Sequence, residues 1–250
     1  MRYENYLSSG FTRSAIKEDP RRGGGELILY NPTSEPCEAT TIVYFSDREP
    51  HMLPPELVKP EANILVIMPG WAPGVFTDCG FWGSKTISTT PLFLNLINGI
   101  RYVVEKPRFR GGCTNFHGAK LHKEWYFPNG IWCDWNQYYK GDLGQATSPF
   151  NELEYYHFLN PNPHAAEVAM TLQYRYLDPV TLRFTVEAER VFVWENREQV
   201  PCNQPYAAKI VSNQPISVSA VRYVYGLRGL DEWGMHVHCS LYGVPGPITG

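Results

Sequence analysis

The chain has 250 residues with a formal net charge of −3 at pH 7, and 43% of them are hydrophobic, 14% aromatic and 19% charged. This composition excludes an intrinsically disordered chain, and the near-balanced charge gives no electrostatic basis for nucleic-acid binding. No apolar run approaches the roughly 18 residues of a membrane-spanning helix.

The first residues lack the apolar core of a signal peptide, so we expect none. The six cysteines include no CxxC pair and are too few for a disulfide scaffold. We therefore expect a protein of the reducing cytoplasm that does not insert into membranes.

Short runs of β-branched and aromatic residues, bounded by Asn, Pro and Gly, recur along the whole chain. Such runs are typical of strands, whereas helix signals are weak. In chain order they cover residues 26–30, 40–45, 64–68, 154–158, 169–176, 191–194 and 216–221. Many short strands separated by turn residues predict an all-β protein of the sandwich or barrel type.

The two halves of the sequence repeat the same features in the same order. Asn31-Pro32 follows the first strand run of one half, and Asn160-Pro161 follows its counterpart in the other. Residues 81–91 align with residues 205–215 without a gap. The sequence therefore predicts two tandem, jelly-roll-like β-sandwich domains related by internal duplication, covering residues 1–120 and 121–250.

The run at residues 216–221 alternates strictly along a strand. Alternation places one set of its side chains on one face and the other set on the opposite face. The first face is apolar and is expected in the core, with Ile216, Val218 and Ala220. The second face is polar enough to meet water, a partner or a ligand, with Ser217, Ser219 and Val221.

Three segments carry a resemblance to a known family. Leu29-Tyr-Asn31 and residues 44–50 look like a strand, a turn and a following strand, and residues 212–218 with Arg222 look like a Ser-Asn-x-Pro-Ile-Val-Val segment followed by an Arg. Together they resemble the Anabaena sensory rhodopsin transducer-like family. Glu154, six residues before an Asn, matches a further family feature.

The resemblance implies an eight-stranded type of β-sandwich, oligomeric through its sandwich faces, that binds small molecules such as sugars or their derivatives without catalysis. It covers residues 25–105 and 150–243, and it fails in the first half where Gly25 stands at the family's Glu position. We hypothesise that a duplicated chain reproduces within itself an interface that single-domain members form between subunits.

Cationic residues recur at matched positions in both halves. They are Lys85 with Lys209 and Arg101 with Arg222. Arg offers a planar donor fork for carboxylates, phosphates or vicinal hydroxyls. Glu154 is a candidate acceptor for ligand hydroxyls and a partner of Arg222 when no ligand is bound. The alternatives are an ion pair at a sandwich edge or between the units, and a surface carboxylate.

Two kinds of aromatic residue could complete a ligand or metal site. Trp82 and Trp132 are predicted to stack on a sugar face, because indole offers a flat apolar surface with one donor. His236 and His238 would point to one side of a strand and could bind a divalent metal. Buried or interface histidines are the alternative, so we expect no cofactor and keep a metal as a possibility.

The sequence lacks GxGxxG, P-loop, GxSxG and HExxH motifs, which counts against an enzyme. We therefore expect a non-catalytic homo-oligomer that recognises a carbohydrate or sugar-derived ligand in a cleft between units or subunits. Two alternatives stay open. One is a metal-dependent sugar-modifying enzyme that uses His236 and His238, and the other is a signalling or structural adaptor that binds proteins.

Overall fold

The structure is a computed structural model. It describes residues 2–12, 21–67, 74–76, 80–102, 110–131, 133–134, 150–197, 199–202, 204–226, 235–241 and 243–246. Within these residues the regular elements are strands alone, and every ladder is antiparallel. The predicted all-β fold is confirmed, and the described part of the chain holds no helix of the length and apolarity needed to cross a bilayer.

The described residues of the N-terminal half form nine strands. They are β1 (Tyr3–Thr12), β2 (Arg21–Asn31), β3 (Cys37–Phe45), β4 (His51–Met52), β5 (Glu56–Val58), β6 (Ala62–Ile67), β7 (Gly80–Ser88), β8 (Phe93–Tyr102) and β9 (Arg110–His117). Sheet I has the order β1-β7-β3-β4, with β5 also on β3, and sheet II has the order β6-β2-β8-β9.

Nine strands are also formed by the part of the C-terminal half that the structure describes. They are β10 (His122–Gly130), β11 (Cys133–Asp134), β12 (Phe150–Asn160), β13 (Ala166–Tyr174), β14 (Val180–Val186), β15 (Arg190–Glu195), β16 (Tyr206–Gly226), β17 (Met235–Leu241) and β18 (Val244–Pro245). The first part of β16 lies between β10 and β13 in sheet III, and the second part lies between β12 and β17 in sheet IV.

The two halves share one strand order. Sheet III runs β10-β16-β13-β14, as sheet I runs β1-β7-β3-β4, and sheet IV runs β15-β12-β16-β17, as sheet II runs β6-β2-β8-β9. The single strand β16 takes the place of β7 and β8. No ladder joins the two halves within the described ranges.

The Asn that ends β2 and the Asn that ends β12 make the same contacts. Asn31 Nδ2 donates to the carbonyl oxygens of Glu35, Val58 and Lys59 at 2.7, 3.3 and 3.2 Å. Asn160 Nδ2 donates to those of His164, Val186 and Glu187 at 2.9, 3.0 and 3.0 Å. The two N–H groups of one short side chain are thus shared among three carbonyls that leave the ladders at this corner.

The sheets stack in four layers, in the order II, I, IV, III. One core fills the space between sheets II and I with residues such as Leu29 and Trp82, and a second core lies between sheets IV and III with residues such as Phe158 and Ile210. A smaller apolar cluster joins sheets I and IV through Tyr6, Tyr44, Leu159 and Val191.

The alternation predicted in residues 216–221 is observed. Ile216, Val218 and Ala220 lie in the core of the C-terminal half. On the opposite face, Ser219 Oγ accepts a hydrogen bond from Ser8 Oγ at 2.8 Å, and Val221 packs into the core of the N-terminal half. The polar face therefore meets the other half of the same chain.

Candidate functional site

An open groove lies where sheet I and sheet IV meet. Its volume is about 420 Å³. Ser46 follows β3, Phe81 lies in β7 and Tyr155 lies in β12, while β15 supplies the remaining wall. We call this the inter-half groove and define it by Ser46, Phe81, Tyr155, Val191, Phe192, Val193 and Glu195.

The groove combines aromatic faces with two polar groups. The Phe81 and Tyr155 rings lie 6.1 Å apart between centroids and are tilted by 32°. Glu195 supplies a carboxylate whose Oε1 lies 3.0 Å from Arg197 Nε, and Ser46 supplies a hydroxyl. Aromatic walls with a few polar groups are the usual lining of a small-molecule site.

The groove residues escaped the sequence-based prediction. Phe81 aligns with Pro205 in the gap-free alignment of the two halves. That difference was the one signal in the sequence that could have marked Phe81 as a site residue. Tyr155 neighbours the predicted Glu154, but successive strand residues face opposite sides of a sheet. A groove between β7 and β15 depends on how the halves pack, which local sequence does not encode.

His157 lies behind the groove, buried between sheets I and IV. Its ring packs edge-on against that of Phe81, with 5.1 Å between the ring centroids, and His157 is 1% exposed. Neither ring nitrogen has a hydrogen-bond partner among the residues that the structure describes. Burial lowers the pKa of His157 to about 3, because a charged imidazolium is costly without water or a partner.

The predicted pairing of Glu154 with Arg222 is observed. The two residues are direct neighbours across β12 and β16. Arg222 Nε and Nη2 donate to Glu154 Oε1 at 2.9 and 2.6 Å, and Nη2 also donates to the Asn129 carbonyl at 2.9 Å. The Glu154 side chain is 0% exposed and that of Arg222 14%, so the alternative of a surface carboxylate is wrong.

Further protein groups donate hydrogen bonds to the Glu154 carboxylate. The Ile131 backbone N–H donates to Oε1 at 3.0 Å, and the Tyr206 hydroxyl donates to Oε2 at 2.6 Å. Burial raises the pKa of Glu154, and Arg222 together with the Tyr206 hydroxyl acts in the opposite direction. Asn196 completes the cluster, since its Oδ1 accepts from the Glu154 N–H at 3.1 Å.

This geometry favours a structural role for the cluster. The Glu154 side chain is 0% exposed and both of its carboxylate oxygens accept protein hydrogen bonds, so a ligand hydroxyl can reach it only after Arg222 or Tyr206 moves. The contacts tie the end of β10 to β12, β15 and β16 at one end of the C-terminal half. We therefore regard the pair of Glu154 and Arg222 as a structural ion pair that holds these strands together. Its role in ligand binding stays a prediction.

The match of Arg101 with Arg222 is wrong. Glu154 lies opposite Arg222, and at the corresponding place in sheet II Gly25 lies opposite Asn98. Arg101 lies opposite Arg22, further along β8. Aligning the similar Arg-Tyr-Val letters shifted the register, because Asn98 rather than Arg101 stands as far after Lys85 as Arg222 stands after Lys209. The Arg101 side chain lies outside the described residues.

The two lysines have the same neighbours in both halves. Lys85 Nζ lies 2.7 Å from Glu4 Oε1 and 5.7 Å from the Tyr6 ring centroid. Lys209 Nζ lies 4.0 Å from an oxygen of Glu124 and 5.6 Å from a tyrosine ring, that of Tyr126. The matched positions are therefore ion pairs beside a tyrosine, and ligand binding there stays a prediction.

The tryptophan and histidine predictions have different outcomes. Trp82 is 0% exposed and packs edge-on against Phe76 in the core, so it offers no exposed ring face on which a sugar could stack. Trp132 and the side chains of His236 and His238, two residues of β17, lie outside the described residues. Among the residues that are described, no cluster of three or more metal-ligating side chains occurs.

Comparison of the sequence with protein-family models and with curated proteins gives no match. Among solved structures, the crystal structure of Thermotoga maritima 1070 aligns with 50% of this chain and 96% of its own, at 16% identity and a TM-score of 0.39. The Anabaena sensory rhodopsin transducer aligns with 39% of this chain and 93% of its own, at 23% identity and a TM-score of 0.31. These likenesses are distant.

Proposed function

We propose that the protein binds a small carbohydrate or sugar-derived ligand in the inter-half groove, without catalysis. One observation carries the proposal: the groove places the rings of Phe81 and Tyr155 beside the Glu195 carboxylate and the Ser46 hydroxyl. A sugar presents an apolar ring face together with hydroxyl donors and acceptors. Aromatic rings suit the first and a carboxylate suits the second.

The site differs from the one predicted from the sequence. Charged residues were expected to orient the ligand, but Glu154 and Arg222 are committed to each other. The groove offers a single carboxylate with Arg197 beside it. A neutral or hydroxyl-rich ligand fits this charge pattern better than a sugar phosphate, since a phosphate would face Glu195.

Three further statements belong to this proposal. The shared strand order and the matched contacts of Asn31 and Asn160 support internal duplication of one sandwich. The segments at residues 29–31, 44–50 and 212–218 support membership of the Anabaena sensory rhodopsin transducer-like family. A cytoplasmic location accords with the low cysteine content and the unlinked, buried thiol of Cys37.

A thermal-shift screen of the purified chain against neutral sugars, sugar acids and sugar phosphates tests the proposal, because ligands that bind the native state raise Tm. Calorimetric titration of a hit into Tyr155→Ala and Glu195→Gln should show affinity lowered at least about tenfold, the equivalent of roughly 1.4 kcal/mol. Tyr176→Ala and Glu187→Gln change exposed residues away from the groove and should bind normally.

Two results would contradict the groove assignment. One is a hit whose affinity is unchanged by Tyr155→Ala and Glu195→Gln but lost in Arg222→Ala. The other is a screen in which no carbohydrate class changes Tm. The metal-dependent alternative has a separate test, since stoichiometric zinc, manganese or iron in the purified protein would favour it over simple binding.

A further inference from the structure

The strand β14 forms a continuous edge of sheet III. All seven of its residues, Val180–Val186, pair with β13, and the described strands pair with it on that side only. Alternate residues of an edge strand direct their N–H and C=O groups away from the sheet. The outer side of β14 therefore presents backbone donors and acceptors to a further strand.

The opposite edges of sheets I and III are both covered by other segments of the chain. In sheet I, the Tyr6 N–H donates to the Ala119 carbonyl at 3.0 Å, and the Ala119 N–H donates to the Tyr6 carbonyl at 2.9 Å. In sheet III, β18 pairs with β10 and places Val244 opposite Tyr126. The chain thus closes the same edge in both halves, whereas the described residues leave β14 without a cover.

The strand that corresponds to β14 in sheet I is broken by two prolines. Its place is taken by the short strands β4 and β5, which pair with β3. Glu56 and Phe184 each lie two residues before a valine whose carbonyl accepts a hydrogen bond from the strand-end Asn. The prolines at residues 54–55 therefore stand where Arg183 continues β14. Proline has no N–H to donate to an added strand, so this edge is blocked and β14 is not.

The core of the C-terminal half is partly exposed beside β14. Leu182, Phe184 and Phe192 are half-buried and pack against that core. The rings of Phe184 and Phe192 lie 4.8 Å apart between centroids and are tilted by 31°. Leu53, which holds the place of Leu182 in the N-terminal half, is 1% exposed. The inward side chains of a strand added to β14 would therefore bury apolar surface that the chain itself leaves open.

Arg183 determines which charge a partner strand should carry. It lies at the centre of β14 on the outer face of sheet III, is exposed, and makes no ion pair with another described residue. Two copies of β14, paired antiparallel with their apolar sides aligned, would place the two Arg183 side chains opposite or diagonal to each other. Like charges at such positions are unfavourable, and opposite charges are favourable. A strand with a carboxylate therefore fits β14 better than a second copy does.

We propose that β14 binds an extended acidic segment of a partner protein, which becomes an additional strand of sheet III. Apolar residues of the segment pack against Leu182, Phe184 and Phe192, and an aspartate or glutamate between them pairs with Arg183. In this mode backbone hydrogen bonds supply affinity and alternate side chains supply specificity. The interaction goes beyond ligand binding in the inter-half groove and requires no sugar.

Selection of a phage-displayed library of random twelve-residue peptides on the full-length chain tests the proposal. The selected peptides should alternate apolar and polar residues and carry an acid in the polar set. Fluorescence anisotropy of the synthesised peptides should show affinity lowered at least about tenfold by Arg183→Glu, and a peptide whose acid is changed to lysine should regain it. Lys123→Glu makes the same change of charge at an exposed residue of β10 and should bind normally.

Methylation of the peptide nitrogens tests the strand geometry without changing the protein. Methyl groups on the alternate nitrogens that donate to β14 should abolish binding. Methyl groups on the intervening nitrogens, which point away from β14, should leave it unchanged. Tyr155→Ala and Glu195→Gln change the inter-half groove and should retain the peptide affinity of the wild type, which separates this proposal from sugar binding.

Three results would overturn the proposal. The first is a library that yields no binding peptide. The second is a set of peptides that bind Arg183→Glu as well as the wild type, or that are weakened equally by both methylation patterns. The third is self-association of the wild type that Arg183→Glu abolishes, which would assign this edge to a second copy. If Arg183→Glu fails to fold, Arg183→Gln removes the charge alone and should also weaken binding.

Discussion

The buried His157 should make the protein less stable in mild acid. Its pKa is about 3 in the folded chain and 6.5 when exposed to water. As pH falls below 6.5, the unfolded chain binds a proton that the folded chain excludes, so stability falls until the pH nears 3. The difference between the two pKa values lowers the free energy of unfolding by about 2 kcal/mol at pH 5. Below pH 3 the full loss is roughly 5 kcal/mol.

The His157→Ile variant isolates this effect. Residue Ile28 holds the corresponding place before Asn31 in sheet II, so an isoleucine suits the strand. The variant should be more stable than the wild type at pH 7.5 by about 1–3 kcal/mol, because two unpaired ring nitrogens are removed from the interior. Between pH 7.5 and pH 5, its free energy of unfolding should fall by about 2 kcal/mol less than that of the wild type.

Urea unfolding, followed by tryptophan fluorescence at pH 7.5 and pH 5, measures the difference in stability between the two proteins and its change with pH. Other titrating groups, including Glu154 with its raised pKa, are common to both proteins and cancel in the difference. His51→Gln alters an exposed histidine and should retain the wild-type pH dependence. Equal losses for His157→Ile and the wild type would refute the reasoning.

Three further variants test the turn at Asn160, the ion pair of Arg222 and the close contact at Gly130. The free energy of unfolding of each is measured by chemical denaturation. Asn160→Ala should cost about 2–4 kcal/mol, because three carbonyls lose their donor; a loss below that of a surface Asn→Ala change would contradict this. Arg222→Ala should cost about 3–5 kcal/mol at pH 7.5 and less at pH 5, where the isolated Glu154 takes up a proton. Gly130→Ala should cost about 1–3 kcal/mol, since its Cβ would lie 2.2 Å from the Tyr206 ring; wild-type stability would show that the ring moves freely.

Local features of the fold were predictable from the sequence. The strand runs and the alternation at residues 216–221 depend on neighbouring residues only. Asn31 and Asn160 were recognisable as turn residues because each stands before a proline at a strand end. The pairing of Glu154 with Arg222 was also predictable, but its burial was not.

The features that were missed depend on contacts between distant strands. Trp82 lies in a glycine-containing segment that looked exposed, yet sheet II covers it completely. Arg101 was aligned with Arg222 because the two residues are identical, whereas the pairing of β8 with β2 places Asn98 at the position that corresponds to Arg222. The groove at Phe81 exists only because sheet I packs on sheet IV, and sequence periodicity reveals which face is apolar without revealing what covers it.

The single long strand β16 has a consequence for where the chain can be cut. In the N-terminal half, residues 89–92 separate β7 from β8, so new chain ends placed there would leave both ladders intact. In the C-terminal half, strand geometry continues from Tyr206 to Gly226 without such a break. The crossing segment bonds to the neighbouring strand in both halves, since the Glu38 N–H donates to Thr89 Oγ1 at 3.0 Å and the Glu167 N–H donates to Asn213 Oδ1 at 2.9 Å. Circular permutation at residues 213–216 should therefore cost more stability than at residues 89–92, because it interrupts a continuous strand.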